Sequence, residues 1–304
     1  MKLYTHPDCE LHQMRGHPER PDRLRAVMQR LSESGLLDDM NVKLAEEISD
    51  DMLAMIHPEE YVTAINEAEP KEGVIKVDPD TYMSPGSKRA ARLAAGACLQ
   101  ATQDVLSGEE KRVFCAVRPP GHHAEVAAAL GFCLFNNIAL AAEYALKDER
   151  INRVAIVDFD VHHCNGTVDI FKDRPEVMVC SSFQDNYYPN RYLDYTNEHI
   201  INLPMAPGTK GDEWRKRVEN EWLPKLEGHK PDLLLISAGF DAHRDDPLAQ
   251  IEFVEGDYAW VTNQLMALAK NHSEDRIVST MEGGYNLEAL ASCVEKHVSR
   301  VLGS

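Results

Sequence analysis

Five short runs in this chain are apolar almost from end to end: Val113 to Val117, Val154 to Phe159, Val177 to Ser181, Leu233 to Ser237 and Ile277 to Thr280. A strand with one face in water alternates apolar and polar residues. Continuous apolarity therefore predicts strands covered on both faces, the habit of a parallel sheet. Helical periodicity occupies Arg20 to Ser34, Gly86 to Leu106, Ile138 to Leu146, Asp212 to Leu226 and Glu255 to Lys270. Strands alternating with helices predict a layered α/β fold. No linker, repeat or shift in composition divides the 304 residues, which predicts one domain over 1–304.

Four of these runs lead straight into polar clusters: Arg118 to His123, Asp158 to Asn165, Ala238 to Asp241 and Glu282 to Asn286. Open α/β sheets bind ligands outside the carboxyl ends of their strands, so the four loops are expected to converge on one crevice. In VAIVDFDVHHCNGT, residues 154–167, the side chains of Asp158, Asp160 and His162 alternate and share one face if extended geometry persists. A carboxylate and an imidazole two residues apart are a natural metal-ligand pair; loop-capping acids beside partly exposed histidines would give the same pattern. A catalytic zinc needs a third protein ligand and an open position. Asp241 in LLLISAGFDAH is placed to supply that ligand, with His243 as its rival and a turn-capping role for Asp241 as the alternative.

RPPGHHA, from Arg118, sets two adjacent histidines behind a rigid turn. Neighbouring side chains point in different directions, so one can serve water and the other a leaving amine, as amide hydrolysis requires of a base and an acid. In MEGGYN, from Met281, two glycines allow close approach of the backbone, and the Tyr285 hydroxyl could stabilise an oxyanion. Alone, each motif also reads as an ordinary turn.

Together the motifs resemble those of the histone deacetylase family, which shares its fold with arginase: GHPERPDRL from Gly16, RPPGHHA, GFCLFNN from Gly131, DFDVHHCNGT from Asp158, SAGFDAHRDDPL from Ser237 and EGGYN from Glu282. The resemblance implies a three-layer α/β/α fold about a mostly parallel sheet and a zinc-dependent amidohydrolase acting on acylated amines. It implies zinc ligation by Asp160, His162 and Asp241, and a tandem pair in which His123 is the base and His122 tunes electrostatics. Asp158 would orient His122 and Asn165 would orient His123, asparagine being the class II pattern. Tyr285 would be the oxyanion donor. A structural potassium ion would take Asp158, Ser181 and carbonyls of Asp158, Asp160, His162 and Ser182. An acyl tunnel would run between Phe132 and the Tyr187–Tyr188 pair, chiefly Tyr188, with the Gly131 carbonyl facing the scissile amide and Leu248 at the mouth.

Two departures from the family pattern stand out. Cys164 replaces a glycine often kept for positive φ, which predicts a strained or altered loop with a thiol near the metal ligands. The segment after Pro189, NRYLDYTNE, lacks the family's Gly-Thr-Gly and should form part of the tunnel rim.

Fifty acidic against thirty-two basic residues give a formal charge of −18, a field that repels nucleic acid and anionic membranes and favours cationic substrates. Seven scattered cysteines predict reduced thiols, and the chain shows neither an apolar leader nor a spanning segment, so a cytoplasmic protein is expected. Self-association into a homo-oligomer is compatible with the sequence. The substrate is expected to be acetyl-lysine or a similar alkylamine, with an acetylpolyamine as the alternative; iron(II) suits the same ligands. A dimanganese arginase-like enzyme and a silent acyl-amine binding module are the competing classes. The first needs more carboxylates than D-x-D-x-H-H offers, and the second is disfavoured by the full set of expected catalytic residues.

Overall fold

A computed structural model describes residues 1–303. Eight strands form one sheet: β1 Lys2–Thr5, β2 Asn41–Leu44, β3 Arg112–Cys115, β4 Val154–Asp158, β5 Val177–Gln184, β6 Ile200–Met205, β7 Leu233–Ala238 and β8 Ile277–Met281. Their spatial order is β2-β1-β3-β8-β7-β4-β5-β6, and every neighbouring pair is parallel. The five apolar runs supply the contiguous centre, from β3 to β5. The three strands that continuous apolarity does not reveal lie outside it. β2 is exposed along its whole length, and β6 carries Pro204, which an edge strand tolerates because its N–H is not needed in the ladder.

Helices cover the sheet in two groups. Ser87–Ser107 packs with Asn137–Ala145, and Leu287–Leu302 packs with both Asp22–Glu33 and Glu255–His272. The expected helix over Asp212 to Leu226 is instead three pieces, Gly211–Arg217, a π-helical turn Val218–Trp222 and Leu223–His229, with Trp214 and Trp222 buried. Parallel connections bring the carboxyl ends of all strands to one edge of the sheet. No helix among the described residues is long and apolar enough to cross a membrane, and all seven cysteines are buried as free thiols.

Candidate active site

β4 ends at Asp158, and the expected alternation ends with it. Each carboxylate accepts the amide two residues on: Asp158 Oδ1 from Asp160 N at 3.0 Å, and Asp160 Oδ1 from His162 N at 2.9 Å. Local side-chain bonding of this kind turns the chain, as Asp does in loops. The three side chains therefore do not share a face. Asp158 turns to His122, its Oδ2 lying 2.9 Å from Nδ1, whereas Asp160 and His162 turn toward the loop after β7.

There Asp241 meets them. His162 Nδ1 is 3.0 Å from Asp160 Oδ1 and 3.1 Å from Asp241 Oδ2, and one ligand atom from each of the three lies within 4.8 Å of the others. His243 is not in this cluster; its Nδ1 accepts from Asp245 N at 3.2 Å. Asp241 does not cap its own turn, since Oδ1 accepts Val161 N at 2.8 Å from the neighbouring loop. Gly239 and Gly283 pack against these carboxylates so closely that a Cβ at either position would collide with Asp160, and Gly283 N donates to Asp160 Oδ2 at 2.8 Å. Two buried carboxylates and an imidazole form a nitrogen and oxygen donor set that fits a divalent ion such as zinc. Burial pushes the Asp241 carboxyl up to about 7, with Asp160 adding to the rise. For His162, burial opposes the charge, but Asp241 and Asp160 outweigh it and raise its pKa. The rise at His162, and the part of the Asp241 shift that Asp160 adds, express concentrated negative charge, which a cation relieves.

The tandem histidines lie with ring centroids 4.0 Å apart yet have different partners. Burial disfavours charge on both. Asp158 and Asp160 overcome it at His122, pushing that pKa up to about 10, while His123 is driven well below the ordinary histidine value by burial and by the neighbouring His122 and His162. His123 Nδ1 sits 2.6 Å from Asn165 Oδ1. Opposed shifts in adjacent groups separate a cationic from a neutral role.

A cavity of about 170 Å³ reaches this floor; it is lined by Asp80, His123, Gly131, Phe132, His162, Tyr187, Tyr188, Leu248 and Tyr285. Tyr188 stands edge-on to His123 with centroids 5.3 Å apart, and Phe132 edge-on to Tyr285 at 5.9 Å. Tyr187 stacks on His162 at 5.8 Å and donates its hydroxyl to the Leu248 carbonyl. Phe132 holds its place with φ 68, a left-handed conformation that costs a bulky residue about 1 kcal/mol. Gly131, also left-handed, has no room for a Cβ because the His123 ring occupies it; its carbonyl accepts the Cys133 thiol at 3.3 Å. Burial raises the Tyr285 pKa well above that of a free tyrosine, so its hydroxyl stays protonated.

Of the residues expected around potassium, Asp158 and Ser181 are register partners on β4 and β5, and the Ser181 hydroxyl lies 3.5 Å from Cys164 N. Ser182 is fully buried beside them. Cys164 corrects the expectation of strain: its φ is −78°, a value open to any residue, and its thiol is buried away from the cavity lining.

Sequence reasoning missed several supports. Glu282 Oε2 accepts the amides of Gly121 at 2.7 Å and His122 at 3.2 Å, joining the loops after β8 and β3. Arg118 is buried against Glu19, with Nε to Oε1 2.7 Å, and binds the carbonyls of Cys9 and His12. Asp80 lines the cavity and accepts Gly131 N at 3.2 Å. Glu19, Arg118 and Glu282 stand inside the quoted motifs, so the signal was present; Asp80 lies in none.

Residues 17–301 match the family model for the histone deacetylase domain. A probable deacetylase of Archaeoglobus fulgidus is 37% identical over 284 residues, which cover 90% of this chain and 77% of that protein. The human polyamine deacetylase HDAC10 is 34% identical over 99% of this chain and 46% of its own length. The crystal structure of the HDA15 HD domain superposes with a TM-score of 0.94 and 34% identity, covering 100% of this chain and 88% of that one.

Proposed function

From the premise that this chain belongs to the histone deacetylase family, we propose that it is a zinc-dependent amidohydrolase that removes acetyl, or another short acyl group, from the ε-amine of lysine or a similar alkylamine. One observation carries the reading: Asp160, His162 and Asp241 converge at the floor of a cavity that His123 and Tyr285 also line. Asp160, His162 and Asp241 would hold zinc, which would supply a Lewis acid for the amide carbonyl and make the attacking water more acidic.

The remaining steps belong to the protein. Phe132 and Tyr188 flank the alkyl stem, burying apolar area without competing for its hydrogen bonds. His123, neutral, takes a proton from the attacking water and passes a proton to the leaving nitrogen, so that amide and water become amine and carboxylate. Tyr285 donates to the oxygen on which negative charge develops. His122, paired with Asp158, holds positive charge beside the same centre. Potassium belongs to the proposal as a structural ion on Asp158, Asp160, His162, Ser181 and Ser182, supported by the placement of Asp158 opposite Ser181.

An acetylpolyamine is the second reading, favoured by Asp80 on the cavity wall, a carboxylate that a distal ammonium could approach. The test is a turnover panel on the zinc-loaded protein, spanning acetyl-lysine peptides, longer acyl-lysines, acetylputrescine and acetylspermidine, before and after chelation. Hydrolysis that stops on chelation and returns with zinc is expected. Undiminished turnover in metal-free protein would overturn the mechanism, and no turnover of any acyl-amine would leave a binding module.

A further inference from the structure

Glu125 is almost fully buried beside the tandem histidines and has no part in the scheme above. Its contacts bear on the orientation of the Asn165 amide. Asn165 Nδ2 donates to Glu125 Oε1 at 2.8 Å and to the His123 carbonyl at 3.2 Å, while Asn165 Oδ1 sits 2.6 Å from His123 Nδ1. A side-chain amide donates at one end and accepts at the other, whereas a carbonyl and an ionised carboxylate only accept. Turning the amide round would set its oxygen against two acceptors. Oδ1 must therefore accept from the His123 ring, the ring proton must sit on Nδ1, and Nε2 keeps the lone pair that a base requires.

Glu125 fixes the amide this way only when ionised, and its surroundings contest that. Burial raises its pKa, and Asp169 adds to the rise; the bond from Asn165, the charge of Arg191 and the more distant Lys172 oppose it. Arg191 reaches in from the surface to place Nη2 2.9 Å from a Glu125 carboxylate oxygen. It belongs to the segment after Pro189, where the sequence departs from the family pattern. That segment is itself anchored, for the Tyr192 hydroxyl donates to Asp169 Oδ1 at 2.7 Å.

We infer that Glu125 is a positioning residue for the base. It locks the Asn165 amide so that His123 presents Nε2 unprotonated, and Arg191 ties the lock to the segment after Pro189, none of whose residues lines the cavity. The inference rests on His123 being the base of the proposed reaction, but the tautomer itself is read without turnover.

The decisive measurement is 15N NMR of the zinc-loaded, 15N-histidine-labelled protein, with His123 assigned from the signals lost in His123→Ala. Wild type should show the Nδ1–H tautomer, and Glu125→Gln should bring in the Nε2–H form. Glu125→Gln should also lower kcat by about 10- to 100-fold with KM little changed, the usual scale for a residue that orients a catalytic group. Asn165→Asp alone sets two carboxylates against each other and should lose activity as well. The double variant Glu125→Gln with Asn165→Asp exchanges donor and acceptor between the two side chains and keeps an acceptor at His123. Its kcat should exceed that of Asn165→Asp alone, although the His123 carbonyl still loses the donor that Asn165 gave it. Losses that multiply in the double variant, or an Nε2–H tautomer in wild type, would overturn the inference. A wild type without turnover would instead overturn the hydrolase reading, while the spectrum still decides the relay.

Discussion

The guanidinium of Arg23 lies 4.9 Å from the centroid of the Tyr285 ring, and its Nε donates to the carbonyl of Gly284 at 2.6 Å. A second guanidinium nitrogen reaches the Glu282 carbonyl, and Nη1 pairs with Glu19 at 3.2 Å. Arg23 is fully buried, so this fork sets where the glycine turn places the tyrosine. Lysine cannot reproduce a planar, multiply bonded fork. Arg23→Lys should lower kcat more than it raises KM, by about 10- to 100-fold, as small misplacements of catalytic groups do. Tyr285→Phe should cost kcat about 100-fold or more, the scale of one oxyanion donor. Wild-type kinetics in Arg23→Lys would mean that the turn holds Tyr285 unaided.

Asp160→Asn and Asp241→Asn should each lose stoichiometric zinc, measured by elemental analysis. Zinc bound only to the native state raises the wild-type melting temperature in proportion to RT ln(1 + [L]/Kd), a shift that both variants should lack. Equal zinc content in wild type and variants would move the metal away from this cluster.

Four fully or nearly fully buried histidines predict acid sensitivity. Burial holds His12, His57 and His163 down to about 4 and His297 down to about 3. Their folded pKa values lie below the unfolded value of about 6.5, so the unfolded state binds more protons between those limits, and stability is lost as pH falls through them. Glu19 acts in the same direction over a lower window. Burial opposes its charge, but Arg118 and the other cations around it outweigh this and hold it down to about 2, so its contribution fades from about 4.5 downward. Each buried histidine can add up to about 1.4 kcal/mol per pH unit. Asp241 and Glu282, pushed up to about 7 chiefly by burial, take up protons in the folded state over the same range and offset part of this loss. Urea midpoints should still fall from pH 6.5 to pH 4; a flat profile would show that the carboxyls cancel the histidines.

Leu248 stands at the junction of the cavity with an open groove that includes Asp185, Asn186 and Pro247. It offers no charge to a distal amine, so acetyl-lysine peptides should be preferred to acetylpolyamines. Leu248→Glu should shift relative kcat/KM toward acetylspermidine by about tenfold or more, the effect of a charged hydrogen bond of roughly 1 to 3 kcal/mol. A wild-type preference for acetylspermidine would indicate that Asp80 already serves that amine.

The central sheet could be read from the chain itself because burial on both faces leaves a local mark: β3, β4, β5, β7 and β8 are apolar nearly throughout. β2 leaves no such mark, since an exposed edge strand is specified by its partner β1 rather than by its own pattern. The candidate metal cluster was legible as residue types on loops after β4 and β7, and the family resemblance already favoured Asp241 over His243; the fold adds the backbone amide of Val161, which holds that carboxylate in place. Periodicity alone assigned Asp158 to the face of Asp160 and His162, and local hydrogen bonding to amides two residues on turned it to His122 instead. The roles of Arg23, Glu125 and Arg191 could not be read, although Arg23 stands in GHPERPDRL and Arg191 in NRYLDYTNE. Their partners lie 261, 40 and 66 residues away along the chain, respectively Gly284, Asn165 and Glu125, and no spacing rule connects them. Sequence determined which chemical groups the strand ends carry, because hydrophobic period and residue type are local. Tertiary structure decided which way each group faces and which proton it holds, because those depend on partners that only the folded sheet brings together.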